Sequence, residues 1–132
     1  IPRDQLIEVS KLGIAKINVD TDIRLAVTRN LRELFWYRPE LRDQESIKPI
    51  YELLQTRTSD FDPRVFLTPI MDTVMYGVVP NEDVALIVGA IEKGVKEAVG
   101  TLIVDFDSYG KAPLVENVTL DEMAERYRKA GI

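Results

Sequence analysis

Four polar residues, Asn18, Asp20, Thr21 and Asp22, fall within five positions at the end of the β-branched apolar run Ile14–Val19. A strand that ends in such a cluster and turns at once into a helix presents amide, carboxylate and hydroxyl groups at one edge of a sheet. Open α/β sheets bind ligands there, and barrels place their chemistry there. The helix start adds unpaired backbone N–H groups and a positive dipole end, which suit a phosphate. The same letters also have an ordinary reading, since Asp and Thr are common capping residues and a buried strand followed by a capped helix accounts for them. A carboxylate magnesium site at Asp20 and Asp22 is disfavoured, because residues two apart share a face only while the chain stays extended.

Phe61-Asp62-Pro63-Arg64 is the second stretch of interest. Asp62 reads as a helix cap and Pro63 as the first helical residue, and Thr68-Pro69 repeats the signal six residues later. The spacing predicts a short turn at Asp62 and a longer helix from Pro69, with Ile70, Met71, Val74 and Met75 on its apolar face.

Composition narrows the chemistry. The 132 residues contain no histidine and no cysteine, which excludes Ser-His-Asp and Cys-His nucleophilic sites, disulfides and thiolate metal centres within this chain. No glycine-rich phosphate loop is present. The net charge of −5 comes with no basic block, so nucleic acid is not an expected partner. No apolar run approaches the roughly 20 residues that span a bilayer, and no signal peptide is visible, so no membrane partner is expected and cytoplasm is the default location. The first residue is Ile1 rather than Met, which reads as a piece of something longer or a processed product.

The elements that must position these residues follow from periodicity. Residues 2–12 read as a short helix stopped by Gly13, residues 14–19 as a strand, and residues 22–36 as the strongest helix. Ile23, Leu25, Ala26, Leu31, Leu34 and Phe35 form its apolar stripe, while Arg24, Arg29, Arg32 and Glu33 lie mostly elsewhere and read as solvated surface. Helix, glycine, strand and helix make one repeat of an α/β fold. The Phe35-Trp36-Tyr37 cluster is core or subunit contact. Ile47, Ile50, Tyr51, Leu53 and Leu54 suggest another helix before a loop at residues 56–60. Residues 82 to about 107 read as one long helix, with Gly89, Gly94 and Gly100 compensated by close packing; a strand at 101–106 is the alternative. Thr119 and Glu122 fit a capping box opening a helix over residues 120–129.

Three parts of the chain, in order, resemble the C-terminal portion of a class II fructose-bisphosphate aldolase. They are Gly13-x-x-Lys16-x-Asn18-x-Asp20-Thr21-Asp22 within Ile1–Leu25, then Asp62-Pro63-Arg64 with Leu67 behind it, then the ending Val118 to Tyr127. The resemblance implies an α/β fold: residues 1–37 as the last helix, strand and helix of a (β/α)8 TIM barrel, and residues 38–132 as a mainly helical C-terminal arm in subunit contact. It implies reversible cleavage of fructose 1,6-bisphosphate to dihydroxyacetone phosphate and glyceraldehyde 3-phosphate. The implied cofactors are zinc, held by histidines upstream of this chain, and a monovalent cation.

Carried over by motif, Asn18 hydrogen-bonds the enediolate, Asp20 and Thr21 hold hydroxyls and phosphate, and Arg64 binds the far phosphate in a partner subunit's site. Asn18 and Asp20 are the catalytic candidates; Asn18, Asp20, Thr21 and Arg64 are the substrate-binding ones. The implied partners are the missing N-terminal portion of the barrel, a sugar bisphosphate, and further copies in a homodimer or homotetramer. Tagatose-bisphosphate aldolase and a non-catalytic helical association module are the competing readings. The family's zinc histidines, glycine-serine phosphate loops and acid/base residue are not among these residues. Residues 76–100 also look longer than the usual arm. The isolated chain is expected to bind no catalytic zinc and to be inactive.

Overall fold

The computed structural model describes residues 2–14 and 16–131. Its regular elements are helices: α1 Arg3–Lys11, α2 Thr21–Tyr37, α3 Lys48–Thr56, α4 Pro63–Leu67, α5 Met71–Tyr76, α6 Glu82–Asp105 and α7 Leu120–Ala130, with short 3-10 turns at Pro39–Asp43, Thr68–Ile70 and Ala112–Leu114. None is long and apolar enough to cross a membrane.

The core is built where apolar spacing on two long helices coincides. Val27, Leu31 and Phe35 repeat every four residues on α2 and are buried, as are Val84, Ile87 and Ala90 on α6. Ile50 and Leu54 of α3, with Ile47 just before it, and Phe66 of α4 close the same cluster. Phe35 meets the Tyr51 ring at 5.3 Å between centroids, while Trp36 and Tyr37 stay exposed. The main helix pair, α2 and α6, packs through Gly94, where an added Cβ would lie 2.6 Å from the Val27 Cα. Of the three glycines in α6, only this one has a close approach; Gly89 and Gly100 face open space.

The expectation of a last barrel strand and helix is corrected. Among the described residues there is no strand and hence no barrel segment. Ala15, within the expected strand, lies outside the described residues; Ile14 and residues 16–20 run without regular structure. The physical reason is that a strand is defined by a ladder to a neighbour, and no second strand lies alongside among the described residues. The β-branched letters supplied propensity without a partner. Residues 101–105 are the end of α6, so the strand alternative there also falls.

Other boundaries differ less. A 3-10 turn at Thr68–Ile70 and the short helix α5, starting at Met71, replace the single longer helix expected from Pro69. Gly77 ends α5 in the left-handed region at φ 70°, a conformation that glycine adopts without steric cost. At the start of α7 the capping box is complete, with the Thr119 hydroxyl accepting the Glu122 N–H and the Glu122 carboxylate accepting the Thr119 N–H.

Candidate functional site

Asp62-Pro63-Arg64 makes a turn that uses one carboxylate three times. Asp62 caps α4 by accepting the Arg64 N–H at 3.0 Å on Oδ1. Pro63 occupies the first helical turn, where its fixed φ is pre-organised and its missing N–H costs nothing. The Arg64 side chain folds back so that Nε and Nη2 lie 3.0 and 2.5 Å from Asp62 Oδ2. A further contact to Asp62 comes from α2: Arg24 Nη1 donates to Oδ2 at 2.9 Å.

Arg24 is in turn fixed by Asp20, one helical turn earlier. Its Nε donates to Asp20 Oδ1 at 2.7 Å and its Nη2 lies 2.6 Å from Oδ2. This forked geometry is the one guanidinium and carboxylate prefer. All three nitrogens of Arg24 are therefore engaged, and an alternating row results: Asp20, Arg24, Asp62, Arg64. Arg64 uses the Nε–Nη2 edge for this row; its Nη1 makes no hydrogen bond among the described residues, and its side chain is 68% exposed.

Electrostatics follow the geometry. The hydrogen bonds from Arg64, then its charge and that of Arg24, hold the Asp62 carboxyl down at about 2, against the opposing effect of desolvation. Arg64 is pushed above its usual value chiefly by Asp62, with a further contribution from the charge of Asp20. Asp20 and Arg64 are exposed, so their pairs contribute little to folding stability, whereas the Arg24–Asp62 contact between them is half-buried. The row is better understood as orienting Arg64 than as holding the fold together.

The structure thus brings Asp20 and Arg64 to one place and sets Thr21 beside them as the first residue of α2. The N–H groups of Thr21 and Asp22 precede the first hydrogen bond of that helix, from the Arg24 N–H to the Asp20 carbonyl, and make no hydrogen bond among the described residues. Asn18 is placed differently from expectation: it is exposed on the irregular segment before α2 rather than at the end of a buried strand. Two members of the row, Arg24 and Asp62, were missed as site residues. The Asp20–Arg24 spacing of four was the available signal; nothing local pointed to the Arg24–Asp62 contact.

No group of three or more His, Cys, Asp or Glu side chains among the described residues is arranged to hold a metal ion. The two carboxylates of the row are both engaged by arginines, and the borderline-soft zinc ion favours the nitrogen and sulfur ligands this chain lacks. The residues present therefore do not fit a zinc centre. What they fit is an anion, met by an oriented guanidinium and a helix start.

These features define a helical segment whose charged corner presents an oriented guanidinium beside a helix start. Residues 1–111 match the family described as fructose-bisphosphate aldolase class-II, and the chain belongs to that family. It is 27% identical over all 132 residues to fructose-bisphosphate aldolase 2 of Cereibacter sphaeroides, covering 26% of that relative. It is 25% identical over its whole length to fructose-bisphosphate aldolase 2 of Rhodobacter capsulatus, covering 81% of that one. A fructose-bisphosphate aldolase of Streptococcus pyogenes serotype M1 is 36% identical over 84 residues, 64% of this chain and 25% of the relative. The chain spans about a quarter of the length of the Cereibacter relative. No solved structure matches it.

Proposed function

We propose that this chain is the substrate-binding C-terminal segment of a class II aldolase that reversibly cleaves fructose 1,6-bisphosphate to dihydroxyacetone phosphate and glyceraldehyde 3-phosphate. The observation that supports it most is the row Asp20, Arg24, Asp62, Arg64, which joins two separately matched motifs in one charged corner. Arg64, oriented by Asp62, offers its free edge to the phosphate remote from the cleaved bond. The Thr21 and Asp22 N–H groups and the Thr21 hydroxyl face the other phosphate. The Asp20 carboxylate accepts from a substrate hydroxyl. Asn18 donates its amide N–H to the enediolate oxygen, where charge develops.

Zinc, with its ligands outside this chain, supplies Lewis-acid polarisation of the ketone when bound; a monovalent cation belongs to the same reading. The remaining upstream polypeptide completes the site. Residues 38–132 act as a subunit-contact arm beside a substrate-binding part at 1–37, and the exposed Trp36 and Tyr37 support a homodimer or homotetramer. The working location is the cytoplasm.

Product analysis on the full-length enzyme, offered fructose and tagatose bisphosphates with zinc, tests this reading. Cleavage of the fructose isomer to the two triose phosphates is expected. Preference for tagatose bisphosphate would move the assignment to that aldolase. Absence of zinc-dependent cleavage of either would leave the association module.

A further inference from the structure

α2 turns a polar column toward the chain that leads into Arg64. Arg24, Thr28 and Arg32 are spaced four apart and so stand on one face of the helix. Each holds a different piece of the segment 54–62. Arg24 takes the Asp62 carboxylate, as described. Thr28, 4% exposed, donates its hydroxyl to the Phe61 carbonyl at 2.7 Å. Arg32 Nη1 donates to the Leu54 carbonyl at 2.8 Å, while Nη2 reaches the carbonyls of Arg57, Thr58 and Asp60 at 3.2, 3.4 and 3.4 Å. The same guanidinium stacks 5.5 Å from the centre of the Phe66 ring, which is fully buried in α4.

Residues 57–62 leave α3 and reach α4 without a helix of their own, so few of their carbonyls are paired locally and they can accept donors from α2. A guanidinium offers five N–H groups in a fixed plane and an apolar face, and one side chain can serve several carbonyls and an aromatic ring together.

We propose that Arg32 is a positioning residue for Arg64: by clamping the carbonyls of residues 54–60 and the Phe66 ring against α2, it sets where the Asp62–Arg64 turn presents its free guanidinium edge. This rests on the reading of Arg64 as the residue that binds the phosphate remote from the cleaved bond. The loop that Arg32 clamps ends two residues before Arg64, and the ring it covers begins two residues after. A rotation of either moves Arg64 directly. Lysine retains the charge but has neither the planar fork nor the stacking face, so it cannot restore the clamp.

The test is steady-state kinetics on the full-length enzyme with fructose 1,6-bisphosphate, together with proton exchange from dihydroxyacetone phosphate, which lacks the second phosphate. A displacement of order 1 Å can cost up to about a hundredfold, so Arg32→Lys should raise KM for the bisphosphate by about tenfold and leave exchange near its normal rate. Thr28→Val, which removes one hydroxyl at nearly constant volume, should shift KM in the same direction by less, and decides the matter if Arg32→Lys does not fold. In an Arg64→Ala background neither substitution should raise KM further, since groups acting through one residue are non-additive.

Arg42→Lys is the control. Arg42 also stacks on an aromatic ring, 5.5 Å from Tyr51, and donates to the Phe35 carbonyl at 3.0 Å, yet it touches neither the 57–62 loop nor Arg64. Its substitution should leave KM unchanged. Two results would overturn the inference while leaving Arg64's role intact: additive effects of Arg32→Lys and Arg64→Ala, or an Arg32→Lys enzyme whose exchange falls as far as its cleavage. An Arg64→Ala enzyme with normal KM would instead remove the phosphate reading itself, and the inference with it.

Discussion

Gly94→Ala should destabilise this chain, while Gly100→Ala in the same helix should stabilise it. A Cβ at Gly94 would meet the Val27 Cα at 2.6 Å, the Ala26 carbonyl oxygen at 2.8 Å and the Val27 nitrogen at 2.8 Å. All three atoms are α2 backbone, so no side chain can rotate away. Normal carbon contacts are about 3.5 to 4.0 Å; the helices must separate by roughly 1 Å or tilt. Overpacking of this kind costs about 1–3 kcal/mol. Replacing a helical glycine by alanine recovers about 1 kcal/mol of that. The net is a loss of up to about 2 kcal/mol, read as a lower urea midpoint by far-ultraviolet circular dichroism. At Gly100, where nothing lies within 4 Å, only the propensity gain of about 1 kcal/mol remains. A Gly94→Ala chain stabilised as much as the Gly100→Ala chain would refute the close crossing of α2 and α6. Because α2 carries Arg24, Thr28 and Arg32, that result would also undermine the placement of Arg64.

Two further predictions concern the site. Because Asp62 is held at about 2 in the fold against 3.8 ordinarily, the folded state binds its proton later than the unfolded chain does. Stability from this group is full above about pH 4 and is lost as the pH falls toward 2; urea midpoints measured across that window should fall for the parent and fall less for Asp62→Asn. In the full-length enzyme, Asn18→Ala should lower kcat with little change in KM. Loss of one donor to a developing oxyanion costs on the order of 3 kcal/mol, and an unchanged kcat would remove Asn18 from the chemistry.

What could be read from the letters was what local chemistry determines. Asp62 as cap with Pro63 behind it, the Thr119–Glu122 box, and the length of α6 depend on residues within a turn of one another, and the structure has them. The strand at residues 14–19 failed because extended backbone needs a partner that no local pattern specifies. Close packing was expected at all three α6 glycines but occurs at Gly94, since only there does the crossing with α2 fall. Arg24 and Arg32 read as surface because they lie off the apolar stripe. Their partners, Asp62 and the carbonyls of residues 54–60, are far along the chain and become neighbours only when α2, α3 and α4 share a core. Asn18 retained its candidate role by motif alone, and its exposed position was not legible.

The central claim is that Arg64, aimed by Asp62 and Arg24, binds the phosphate remote from the bond being broken. Arg64→Ala in the full-length enzyme, assayed in parallel for fructose 1,6-bisphosphate cleavage and for proton exchange from dihydroxyacetone phosphate, tests it directly. Remote binding energy is used in alignment as well as affinity, so cleavage should show a raised KM and a lowered kcat/KM. Exchange, whose substrate has no second phosphate, should continue at close to the parent rate. Equal impairment of both reactions would contradict the claim.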